Sequence, residues 1–160
     1  MRRYICNFIL LGIFLALTGC ERRQSMPVKR YDKPLTYSQA TNKADINFPL
    51  PPSAHDIYYG TYGAWQAYGL VVRFDAPVRD CIKHIDTVLA WDDRNYNRTS
   101  SYSRITVTNV EPVDAGFPTP VRWFTPEKIT RGIYAGAFGP HTPRIWVDLD
   151  KGTFYFLEMD

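Results

Sequence analysis

The sequence predicts an α+β sandwich: an antiparallel sheet of about five to six strands with one main helix, about residues 77–91, packed on one face. Three observations carry this. Short β-branched or aromatic runs bounded by glycine and proline recur at Ile57–Tyr62, Leu70–Asp75, Arg104–Val110 and along Arg144–Phe156. One stretch has helical spacing, with Val78, Cys81, Ile82, Ile85, Val88 and Leu89 on a single stripe. Aromatic content is 15%, with 11 Tyr, 9 Phe and 4 Trp in 160 residues, which suits β-structure around a small, well-filled core.

The elements follow in chain order. Residues 20–47 show no sustained period of two or 3.6 and are rich in Gln, Ser, Lys, Thr and Asn, so they read as a tether. As a flexible coil such a segment spans roughly 30 Å. "FPLPPSAHD" (48–56) is too proline-rich for a helix or a central strand, and it opens a single domain over 48–160. Two strands follow, and "GAWQAYG" (63–69) either closes a hairpin between them or continues them. The helix starts at Pro77, whose ring suits a first turn, and Asp80 suits the positive N-terminal end.

"DDRNYNRTSSYSR" (92–104) reads as a long polar loop. "RITVTNV" alternates Ile105 and Val107 against Thr106 and Thr108, a half-buried strand. "EPVDAGFPTPV" is a proline-rich loop, and "TPEKITRG" reads as one helical turn capped by Thr125 and stopped by Gly132. "RIWVDLDKGTFYFLEMD" is a hairpin with Gly152 in the left-handed position of its turn.

The N-terminus has a different character. Arg2 and Arg3 make it positive, and Phe8–Leu17 is apolar but well short of the ~20 residues of a spanning helix. Small residues then lead to Cys20. This is the layout of a secretory signal peptide over 1–19. Leu17-Thr18-Gly19-Cys20 resembles the bacterial lipobox. The resemblance implies a diacylglycerol thioether on Cys20, cleavage before it and acylation of the new amine, so the membrane is a partner through lipid. Glu21 follows where an Asp would resemble an inner-membrane retention signal, which favours an outer membrane facing the periplasm. Beyond the leader, the body resembles small uncharacterised envelope lipoproteins and no characterised family.

That processing removes Cys6 and occupies Cys20, which leaves Cys81 alone and no intrachain disulfide. Charge is uneven. Residues 21–43 carry six basic and two acidic side chains, whereas residues 44–160 carry 11 basic and 14 acidic. The folded part is therefore acidic, not the basic stripe of a nucleic-acid binder.

Chemistry-bearing motifs are sparse. His55, His84 and His141 lie far apart, and there is no HExxH, CxxC or G-x-S-x-G, so no metal, cofactor or catalytic residue is assigned. His84 falls at the edge of the helix stripe as a partly exposed structural residue. Cys81 falls within the stripe, and Asp148 and Asp150 belong to the hairpin and its turn. The most distinctive stretch is "YYGTYGAWQAYG" (58–69), where Tyr58, Tyr59, Tyr62, Trp65 and Tyr68 crowd against glycines. Such rings stack on sugars or anchor a protein, unless they fill both faces of a small sheet. Arg94, Tyr96, Arg98 and Tyr102 make a second candidate surface, rich in interface residue types. The expected function is a non-enzymatic, lipid-anchored module that binds an envelope or secreted protein, with immunity against an exported toxin as one version. A cell-wall or polysaccharide-binding module is the alternative, and a small hydrolase the second alternative.

Overall fold

A computed structural model describes residues 28–43, 46–64, 67–96, 102–136 and 142–159. Among these, seven strands form one sheet: β1 Val28–Leu35, β2 His55–Ala64, β3 Ala67–Asp75, β4 Ser103–Val107, β5 Gly132–Gly136, β6 Arg144–Asp148 and β7 Thr153–Met159. Their order is β1-β2-β3-β7-β6-β5-β4, and every neighbouring pair is antiparallel. The helices are α1, Tyr37–Thr41, and α2, Val78–Tyr96. The α+β class holds, with seven strands rather than five to six.

β7 lies at the centre of the order and is buried on both faces, which is why "TFYFLEM" reads as a nearly continuous apolar run. On one face Phe154 and Phe156 join Ile57, Tyr59, Leu70, Val72, Phe74, Ile145 and Val147 beneath α2. The helix seals them with Cys81, Ile85, Val88 and Leu89, four residues of the predicted stripe. Phe74 and Phe154 stack at 4.7 Å, and the His84 ring stands edge-on to both. On the other face Tyr155 and Leu157 pack with Val71 and Trp146. Their cover is not a helix. It is the stretch between β4 and β5, residues 108–131, which lays Ala115, Phe124 and Ile129 onto the sheet. The proline-rich loop of the sequence is thus a strap and a third layer.

Several expectations need correction. The sequence pattern of a tether extends over 20–47, yet Val28–Leu35 is the edge strand β1, paired with β2, and α1 follows it. A capping box holds α1: Thr36 Oγ1 accepts from the Gln39 N–H, and Gln39 Oε1 accepts from the Thr36 N–H. The domain therefore begins well before residue 48. α2 runs five residues past Trp91, so Arg94 and Tyr96 lie in a helix rather than in a loop. The reason is Asp92, which turns inward and, with Asp93, accepts from the Tyr102 hydroxyl at 3.1 and 2.6 Å. Gly132 does not stop a helix. It opens β5, and the turn before it is a 3₁₀ turn, Pro126–Lys128, whose Thr125 makes no side-chain cap. Ile105 is 54% exposed where a buried face was expected.

The hairpin turn is as expected, with Gly152 at φ +70°. Asp148 Oδ1 accepts from the N–H groups of Asp150 and Lys151, and the Gly152 N–H donates to the Asp148 carbonyl. The Gly152 carbonyl in turn accepts from the Ala76 N–H at 2.9 Å, which ties this turn to the start of α2. A Cβ on Gly152 would collide with the Ala76 carbonyl oxygen. Gly152→Ala combines that collision with a left-handed backbone, so it should cost about 2 kcal/mol or more of stability, read by chemical denaturation.

Candidate functional site

The crowding of aromatics with glycines has a packing explanation on β2 and β3. Tyr62 lies across Gly69, where any Cβ would occupy the position of its ring. Phe117 of the strap meets Tyr62 edge-on at 4.8 Å and sits over Gly60, whose added Cβ would come within 3.1 Å of the Phe117 ring. Glycine in these strands admits large rings close to the backbone. Tyr62 is consequently only 6% exposed, and it cannot serve as a ligand platform. Tyr68 is half-buried against the helix-side core.

Tyr58 behaves differently. It projects from β2 on the strap side and stacks on Trp123 at 5.4 Å with 26° between the planes. The Arg73 guanidinium covers its ring at 5.0 Å, and Asp75 holds that guanidinium at 2.8 Å. These rings line a groove of about 550 Å³ formed by Arg30 and Asp32 of β1, Tyr58 of β2, and Thr119, Pro120, Arg122 and Trp123 of the strap.

A polar clasp closes one wall. Arg30 Nε donates to Asp32 at 2.9 Å, and its Nη1 donates to Thr119 Oγ1 at 2.9 Å. Trp123 Nε1 donates to the other Asp32 oxygen at 2.8 Å. Every charge in the wall is thereby matched, except for Arg122. That side chain is exposed and makes no ion pair among the described residues.

The other sequence candidates are dispersed. Arg94 is exposed in the last turn of α2, on the helix side of the sheet, so it does not join Tyr58 in one surface. Tyr96 ends that helix. Cys20, Trp65 and Arg98 lie outside the described residues. The groove residues Arg30 and Asp32 were hidden within the supposed tether, and Arg122 and Trp123 within a loop read as a connection. The signal that could have found them is the lone Trp123 beside Arg122 in a proline-rich segment.

The titratable groups are structural. Burial pushes the Cys81 thiol up to about 12, and its Sγ–H points to the carbonyls of Gly152 and Ala76 at 3.4 and 3.6 Å. A thiol so held is inert rather than nucleophilic. His84 is buried, not partly exposed as expected, and its Nε2–H donates to the Pro49 carbonyl at 3.0 Å. That bond lies in a second cleft of similar volume, between residues 49–53 and α2. Asp148 is engaged by its turn, and Asp150 pairs with Arg131 at 2.7 Å. Among the described residues no three His, Cys, Asp or Glu side chains converge as metal ligands, and no helix is long and apolar enough to cross a membrane.

Compared with known proteins, the chain matches no family model, no curated protein and no solved structure.

Burial lowers the His84 pKa below its ordinary value of 6.5, so the native state prefers the neutral ring. The resulting stability is complete above that value and is lost as pH falls through the native pKa. Denaturation midpoints should therefore fall between about pH 7.5 and 5. His84→Leu should flatten that slope, while the wild-type chain keeps it.

Proposed function

We propose that this chain is a lipid-anchored protein of the cell envelope that acts as a non-enzymatic binding module for an envelope or secreted protein, engaged through the Arg30–Tyr58–Trp123 groove. The observation that carries this reading is the groove itself. A stacked tryptophan and tyrosine sit beside Arg122, which makes no ion pair among the described residues, and these are the residue types that dominate binding energy at protein interfaces. The stack is held in place by the clasp from β1, so little ordering remains to be done on binding. An immunity protein that captures an exported toxin is one concrete form of this function. The glycan-binding alternative loses Tyr62, one of its intended stacking rings, to the sheet interior.

Anchoring rests on the lipobox resemblance at Cys20, with the outer membrane facing the periplasm as the expected site. Since β1 starts at Val28, the leash from Cys20 is Glu21–Pro27. Seven residues reach at most ~25 Å even when fully extended. The groove then works within a few tens of ångströms of the bilayer, and its partner is met at the membrane surface.

The test is affinity capture with the full chain in mild detergent, using solubilised envelope and secreted fractions and mass spectrometry. One protein retained near stoichiometry is expected. Trp123→Ala should weaken its binding by about thirtyfold, the effect of losing an interface anchor of about 2 kcal/mol, and Arg122→Glu should weaken it too. Retention that ignores both substitutions would refute the groove as the binding surface. Retention on isolated cell wall alone would favour the glycan reading.

A further inference from the structure

Charge is sorted by element in this fold. Residues 28–43, which hold β1 and α1, carry four basic side chains and one acidic, Asp32. α2 carries three basic and four acidic, and the strap, 108–131, carries three of each. The basic side chains of the first unit run along one edge of the sheet, since β1 is its outermost strand. Lys29 and Lys33 are exposed there, four residues and about 13 Å apart. Lys43, beyond α1, returns to the same strand and sets its Nζ 4.7 Å over the Tyr31 ring. Arg30 and Asp32 neutralise each other at 2.9 Å inside the clasp, so the three lysines give the edge its positive sign. Pro34 and the register shift between Tyr31 and Leu35 already keep this strand from pairing with another chain. Protection from pairing does not call for an excess of one sign beside the leash. Val28, where the leash ends, is an apolar side chain 43% exposed.

We propose that the β1 edge lies against the membrane that holds the anchor, with Lys29, Lys33 and Lys43 on the phosphates of anionic lipid and Val28 at the headgroup boundary. This rests on the anchoring at Cys20 proposed above. The leash keeps the start of β1 within ~25 Å of the bilayer, so what remains to be chosen is which part of the domain turns toward it. Screening confines that choice to charges within about 8 Å of the lipid. Each lysine at an anionic surface favours contact about fivefold. The acidic excess of α2 opposes contact through the helix face, and the balanced strap is indifferent. The sheet then stands edge-on, with both faces clear of the bilayer and the groove open beside the headgroups.

The test is fluorescence quenching of the full chain, purified from membranes and reconstituted into vesicles that contain nitroxide-headgroup lipid. Cys81 is buried, so one introduced cysteine takes the label. Pro34→Cys reports the end of β1 away from the leash, which the leash alone does not bring to the lipid. Thr106→Cys on β4 reports the opposite edge, six strand spacings of about 4.8 Å away. In an equal mixture of phosphatidylcholine and phosphatidylglycerol, quenching at 34 should exceed that at 106 about threefold or more. Phosphatidylcholine alone, high salt, or Lys29→Glu combined with Lys33→Glu should each abolish the difference. Equal quenching at the two positions in the mixed vesicles, or quenching at 34 that ignores phosphatidylglycerol and salt, would overturn the edge contact while leaving the anchor. A chain that fails to float with the vesicles would remove the anchor, and this proposal with it.

Discussion

The constraint on which this structure depends is the two-sided burial of β7. A central strand that presents Phe154 and Phe156 to one side and Tyr155 and Leu157 to the other needs a cover on each. Each such side chain gains about 1.5–3 kcal/mol when removed from water, so neither face can stay open. The longer of the two described helices, α2, takes the first face. The second goes to a segment of almost no regular structure, whose prolines and buried aromatic rings fit it for lying flat on a sheet. The order of the strands follows. β3 delivers the chain to α2, α2 crosses to the far edge at β4, and the strap returns over the opposite face before β5 and β6 lead back to β7.

The strap explains where a binding groove arises. Its apolar contacts hold it against the sheet, but apolar contact is indifferent to small shifts along the surface. Directional bonds from Arg30 and Asp32 to Thr119 and Trp123 fix its position relative to β1. These exposed bonds contribute less than the buried rings, about 1 kcal/mol each or below, and their role is placement. Placement of Trp123 over Tyr58 is what turns a covered sheet face into a groove with defined walls.

The strongly patterned elements were legible in the sequence. The α2 stripe, the two central strands and the Gly152 turn each obey a local rule: a period of 3.6, a β-branched run, a positive φ. The misreadings share a cause. β1 has the composition of a linker because it is an edge strand, where lysine, aspartate and proline guard against pairing. α2 outlasts its apolar stripe where the Tyr102 hydroxyl reaches Asp92 and Asp93, a contact that spacing does not reveal. Tyr62 resembles a surface aromatic until Gly69 and Phe117 are seen to enclose it. Among the described residues of the candidate surface, Tyr58 alone lines the groove. Its neighbours there come from segments about 30 and 60 residues away, brought together by strand pairing and the strap.

The central claim is that β1 clasps the strap and so shapes the groove. A double-mutant cycle on stability tests it most directly, with Asp32→Ala and Trp123→Phe alone and together. The second substitution removes the indole N–H while keeping a ring over Tyr58. The account predicts a coupling energy of about 0.5–1 kcal/mol between the two positions, reduced from a buried value because Asp32 is half exposed. Additive effects, within about 0.3 kcal/mol, would mean that β1 and the strap are held independently and that the groove is not a constructed site.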